Sequence, residues 1–226
     1  MPRPEPASAP GSATESVEAP SSSPSPSRLL LVRHAESTWN ALRRIQGQMD
    51  PPLSPRGLAQ ARELALRLAG HRLAGFYCSD LLRARQTAEP IARALGLAPV
   101  LEPALREIGL GAWEGKSREE LLREYPEQWA AWVREPSWDL IPGGEGAQAF
   151  ERRVGRILGE ILDRHPAGDV LCVTHGGVIQ VALLSVVGRR SHGQFPFRID
   201  NASLSVIQWA GDQAAITAVN DTCHLA

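Results

Sequence analysis

Three short apolar runs in this chain stop abruptly at polar or charged residues, and that pattern restricts the fold more than any other feature. "LLLV" gives way to Arg33 and His34, "FYC" to Ser79 and Asp80, and "VLCV" to Thr174 and His175. Apolar runs without alternation fit strands buried on both faces, as a parallel sheet requires. Helix signals separate them. Ser54 and Pro55 read as an N-cap and a first helical position, opening an amphipathic helix to about Ala69. The segment from Asp80 reads as a helix ended by Gly96. Residues 117–135 read as a helix over the sheet edge, with further helices from about Ala147 to Asp163 and over "VIQVALLSVVG". Residues Ala202 to Asp221 hold two strand-like runs about a Gly-Asp turn, an antiparallel hairpin. The predicted fold is therefore α/β: a three-layer sandwich with a mostly parallel central sheet, helices on both faces and a C-terminal antiparallel hairpin.

At 226 residues the chain accommodates one such domain, predicted over residues 28–226. Residues 1–27 differ in kind: Pro, Ser, Ala, Glu and Gly dominate, with no aromatic residue and no leucine. Such a segment cannot bury enough apolar surface to offset its ordering entropy and is expected to be a disordered tail. It has no apolar core of a secretory signal, and its glutamates disfavour an organellar transit peptide. Three scattered cysteines, Cys78, Cys172 and Cys223, fit a reducing cytoplasm better than a disulfide framework. No run is apolar enough over ~20 residues to span a bilayer. A net charge of −1 supplies no global field for nucleic acid or anionic lipid. No nucleic acid and no membrane are expected as partners, and a homodimer is left open.

In open α/β sheets, ligands bind outside the carboxyl ends of the strands. Arg33, His34, Arg83 and His175 follow strand ends and can therefore meet in one crevice. Arginine forks match phosphate oxygens bidentately, histidine can attack phosphorus, and a glutamic acid such as Glu107 can protonate a departing oxygen. Phosphoryl transfer needs mainly positioning and charge neutralisation, which these groups supply without a metal. Rival chemistries fail on spacing. A phosphate-cradling P-loop needs four residues between its first glycine and Gly-Lys; before Gly115-Lys116, Gly111 leaves three and Gly109 leaves five. A cysteine phosphatase loop misses by one residue, since four separate Cys78 from Arg83. The six histidines show no metal-ligand spacing, so no metal and no cofactor are expected. His71, His165, His192 and His224 are expected in solvent, and Trp129, Trp132 and Trp138 in core packing or a cap over the site.

"LVRHAESTWN", "SDLLRARQTAEPIA", "REIGLGAWEG" and "VTHGG", in that order, resemble the histidine phosphatase superfamily, which includes the cofactor-dependent phosphoglycerate mutases. The resemblance runs from about Arg28 to the end of the chain. It implies that His34 is the nucleophile, forming a transient phosphohistidine, and that Arg33, Arg83 and His175 surround the phosphoryl group. It implies a hydrogen bond from Asn40, and Glu107 as proton donor and then as the base that activates water. Ser37, Gln46, Gly47 and Gly176 fall where the family binds substrate, and Glu36 orients its neighbours. Ala35 stands where the family often has glycine. The mutases typically follow their acidic residue with Arg and Tyr-Gly, whereas Ile108-Gly109-Leu110-Gly111 follows Glu107, as in the phosphatase branches. The resemblance thus implies a phosphatase of small phosphomonoesters, its expected partner a small phosphorylated metabolite. A mutase is the alternative, and a non-catalytic domain of the same fold is disfavoured by the intact His34, Glu107 and arginines.

Overall fold

A computed structural model describes residues 27–211 and 213–226 of the chain. Except for Ser27, the predicted tail lies outside the described residues; Ser27 itself already belongs to the first strand, one position before the predicted boundary. In chain order the elements are β1 (Ser27–Arg33), α1 (Thr38–Ala41), α2 (Pro55–Leu68), β2 (Leu73–Cys78), α3 (Leu82–Leu95) and β3 (Val100–Leu101). Then come α4 (Arg118–Glu124), α5 (Pro126–Arg134), α6 (Ala147–Arg164), β4 (Gly168–Thr174), α7 (Gly176–Val186), β5 (Leu204–Ala210) and β6 (Gln213–Asp221).

The six strands form one sheet in the order β3-β2-β4-β1-β5-β6. The β3–β2, β2–β4 and β4–β1 pairs are parallel, while β5 runs against both β1 and β6. One strand of six is thus reversed, and the sheet is mostly parallel. Side chains alternate across β1. Leu29 and Leu31 enter a cluster with Phe150, Ile157, Val178 and Ile179 of α6 and α7. Leu30 and Val32 enter another with Leu64, Leu68 and Ile91 of α2 and α3. Each such burial contributes about 1.5–3 kcal/mol, and this is why β1 carries no polar residue between Arg28 and Arg33.

The helix boundaries follow local chemistry. The Ser54 hydroxyl accepts from the Gly57 N–H and caps α2, with Pro55 at its first position. Gly96 closes α3 in a left-handed conformation. The predicted single helix over residues 117–135 is two. Pro126 disfavours helical geometry at the residue before it, and Tyr125, with φ −134° and ψ 51°, breaks α4 from α5. Together with the loop before them, these two helices place Trp113, Trp129 and Trp132 above the carboxyl end of the sheet, against the α6–α7 cluster. Among the described residues, no helix is long and apolar enough to cross a membrane.

Candidate active site

The site grows from adjacent parallel strands. β1 and β4 pair with Arg33 opposite Thr174, and β2 and β4 pair with Cys78 opposite Val173. His34, His175 and Ser79 therefore leave the same sheet edge side by side. The His34 and His175 rings lie 5.2 Å apart, centroid to centroid. Glu107 arrives from the loop beyond β3, which the Thr174 hydroxyl ties down by donating to the Leu105 carbonyl at 2.8 Å.

His34 is 2% exposed. Its Nδ1 lies 2.8 Å from the Ala35 carbonyl, which can only accept. The proton therefore sits on Nδ1, and Nε2 keeps its lone pair. Arg83 donates from Nε to that Nε2 at 3.3 Å. Burial, then the charges of Arg83 and Arg33, hold the His34 pKa well below its ordinary value, so the imidazole is neutral at pH 7. His175 is depressed in the same sense, by burial first and then by Arg83, His34 and Arg33. Its Nε2 lies 2.8 Å from the Ser79 hydroxyl, and its Nδ1 has no partner among the described residues.

The arginines are preorganised rather than free. Arg83 donates to the Met49 carbonyl at 2.7 Å and to the Gly47 carbonyl at 2.8 Å. Burial lowers its pKa to about 10, with Glu107 and Asp50 opposing the fall, so it stays charged. Arg33 donates to the Ile199 carbonyl at 2.6 Å. Its buried Nε is unpartnered among the described residues. Burial lowers its pKa, against the attraction of Glu107 and Asp200. Glu107 accepts from the Ile108 N–H at 3.0 Å and from the Gly177 N–H, at the start of α7, at 3.1 Å.

A cavity of about 280 Å³ brings together Arg33, His34, Gln46, Gly47, Arg83 and Glu107 from the expected set. His175, fully buried, lies beside His34 and outside the residues that line this cavity. Ser37 and Asn40 lie beside the cavity rather than on its wall. Ser37 caps α1 and donates to Gln46 Oε1 at 2.7 Å. The Asn40 carboxamide oxygen is taken by the Ser37 N–H at 3.1 Å and by Asn201 Nδ2 at 3.2 Å. Gly176 sits next to Arg33, and a Cβ there would lie 3.6 Å from Nε, an ordinary contact. Its neighbour Gly177 is the constrained residue, for a Cβ there would fall 2.3 Å from Glu107 Oε1. The Glu36 carboxylate accepts from the Ser54 hydroxyl at 2.7 Å. Asp80 turns away to Arg106 at 2.6 Å.

Three fasteners have no counterpart in the sequence reading. Glu114 Oε1 accepts from the Gln48 N–H at 2.9 Å and the Leu110 N–H at 2.8 Å, joining the loop of Gly47 to the loop of Glu107. Gly47 has φ +50°, and a Cβ on it would strike the Glu114 carboxylate. Arg153 donates to the carbonyls of Ala104 at 2.8 Å, Arg106 at 2.9 Å and Glu107 at 3.3 Å, while pairing with Glu145 at 2.7 Å. Asn201 donates to the His34 carbonyl at 3.0 Å. Only Glu114, inside "GAWEG", stood within a quoted motif. Arg153 and Asn201 are lone polar residues with no spacing signal. Of the histidines expected in solvent, His165 and His224 are half-buried, His165 within 3.0 Å of the Tyr77 hydroxyl. Cys78 is buried, and burial pushes its thiol pKa up, which removes a thiolate nucleophile from consideration.

Residues 29–222 match the Histidine phosphatase superfamily (branch 1). The chain belongs to this family. Phosphoserine phosphatase 1 of Hydrogenobacter thermophilus is 39% identical over 198 residues, covering 88% of this chain and 94% of that one. A probable phosphoglycerate mutase, GpmB, of Yersinia pestis is 36% identical over 204 residues, covering 88% and 94%. The crystal structure of a putative alpha-ribazole-5'-P phosphatase from Escherichia coli superposes with a TM-score of 0.76 at 30% identity, covering 86% and 96%.

Proposed function

We propose that this histidine phosphatase hydrolyses small phosphomonoesters through a phosphohistidine on His34. The observation that carries the reading is the pairing at one cleft of a neutral imidazole, unprotonated at the Nε2 to which Arg83 Nε donates, and a glutamic acid, between two guanidinium groups. Nε2 attacks phosphorus as the bond to the leaving oxygen breaks, and the Glu107 carboxyl gives that oxygen its proton. The imidazole proton stays on Nδ1, where the Ala35 carbonyl stabilises the positive charge that develops on the ring. Glu107, now a carboxylate, takes a proton from water as the water oxygen attacks phosphorus. The N–P bond breaks, its electrons return to Nε2, and inorganic phosphate leaves. Arg33 Nε and His175 Nδ1 supply donors for the transferring oxygens. For His175 this requires Nε2 to accept from the Ser79 hydroxyl, a role consistent with its depressed basicity.

The same reading needs no metal and keeps the protein in the cytoplasm, where the free Cys78, Cys172 and Cys223 stay reduced. The GpmB relative keeps a mutase in view. Incubation with 3-phosphoglycerate and a trace of 2,3-bisphosphoglycerate, with and without EDTA, tests the choice. Release of free phosphate, unaffected by chelator, or turnover confined to other phosphomonoesters, is the expected result. Formation of 2-phosphoglycerate faster than free phosphate overturns it.

A further inference from the structure

The wall of the cleft opposite His34 is aromatic. Trp113 packs on Trp129 at 5.8 Å and on Trp132 at 5.5 Å between centroids, and Trp138 packs edge-on against Phe195 at 5.9 Å. All five rings line the cavity that holds Arg33, His34, Arg83 and Glu107. Among the described residues on its wall, the permanent cations are Arg33 and Arg83 alone, and the phosphoryl group engages both. Several cations in the surrounding loops are already paired with carboxylates. Arg44 pairs with Glu120 at 2.8 Å, Lys116 with Glu124 at 2.5 Å, Arg106 with Asp80 at 2.5 Å, and Arg153 with Glu145 at 2.7 Å.

Building on the phosphatase reading of this site, we infer that its substrates carry an uncharged, aryl-bearing or otherwise apolar group beyond the phosphoryl group, and that a carboxylate there is rejected. An apolar tail is drawn from water and packs against the half-buried Trp129 and Trp132 and the exposed Phe195, while Trp113 and Trp138 are buried behind them. A carboxylate would lose its hydration against those same faces, with no cation on the wall left to compensate. The relatives named for phosphoserine and phosphoglycerate act, by those names, on carboxylated esters, so the specificity of this chain departs from theirs.

Binding can be separated from turnover with phosphonates, which keep the dianionic head and resist hydrolysis. Calorimetric titration of the full chain compares 3-phenylpropylphosphonate, 3-carboxypropylphosphonate and inorganic phosphate. The phenyl ligand is expected to bind tighter than the carboxylated one by on the order of 10²-fold and to perturb tryptophan emission. The carboxylated one should bind no tighter than phosphate. Phe195 is 53% exposed, so its replacement should leave the fold intact, and Phe195→Arg should narrow the ratio several-fold. Equal or tighter binding of the carboxylated ligand overturns the inference, and a ratio unmoved by Phe195→Arg counts against it. Tight binding of the phenyl ligand without phosphate release from 3-phenylpropyl phosphate would instead refute the phosphatase reading and leave the specificity inference standing.

Discussion

An imidazole attacks phosphorus only from a nitrogen that keeps its lone pair, and at His34 the backbone decides which nitrogen that is. The Ala35 carbonyl holds the proton on Nδ1, and Arg83 sits at Nε2, where it also repels protonation. Glu107 works under a different constraint. Two backbone N–H groups fix its carboxyl, so its aim is set by the main chain of α7 and of its own loop. Glu107→Gln removes the transferable proton and keeps one of the two bonds, since only its amide oxygen can accept. Turnover of a primary alkyl phosphate should fall by about 10²–10⁴-fold, the range for general acid catalysis, while p-nitrophenyl phosphate, whose phenolate leaves unaided, should lose far less. Steady-state kinetics on the two esters checks this, and equal losses on both would remove Glu107 from the acid role.

The elements explain why the site could be seen so far and no further in the sequence. Strand ends were legible because β1, β2 and β4 must be apolar on both faces, so the first polar residue marks the edge of the sheet. Caps were legible at Ser54 and Gly96 because their chemistry is local. The short β3 escaped notice, since two exposed residues at a sheet edge carry no periodicity. The break at Tyr125 has its one local signal in Pro126, set within a segment otherwise rich in helix formers. Arg153 was invisible because its role is set by carbonyls some forty-five to fifty residues away in the chain. Gly177 shows the same distinction within one motif. Gly177→Ala adds a good helix former to the first turn of α7 and would by itself favour the helix by roughly 0.8–1 kcal/mol. Its Cβ, however, meets Glu107 Oε1 at 2.3 Å. The variant should melt within a few degrees of the wild type yet lose turnover of alkyl phosphates by more than about 10-fold, whereas Gly176→Ala should remain active. Thermal melts and kinetics on both variants check it; loss of activity in Gly176→Ala but not in Gly177→Ala would contradict the placement of the acid.

For the whole molecule, stability and catalysis are linked through the two buried imidazoles. The folded protein holds His34 and His175 neutral, with pKa values well below 6.5, whereas in the unfolded chain both take up protons near that pH. Unfolded chains therefore bind more protons below about pH 6.5, and stability falls as pH drops through and below that value until the folded imidazoles protonate in turn. The slope approaches about 1.4 kcal/mol per pH unit for each histidine. Urea denaturation between pH 7.5 and 5.5 should show this loss, with a shallower slope in His34→Asn, which has no titrating ring. A slope identical in the two proteins would contradict burial of His34 as a neutral group. At this scale too the net charge of −1 matters: the proposed anion binding would rest on the local pair of arginines, not on a general field.

The covalent step proposed on His34 is open to direct observation. Wild-type protein mixed with an excess of p-nitrophenyl phosphate and quenched in alkali within the first turnovers should carry one acid-labile phosphate, mapped by peptide mass spectrometry to His34. His34→Ala should carry none and should be inactive on the same ester. Phosphate found on another residue, or near-normal turnover by His34→Ala, would contradict the account.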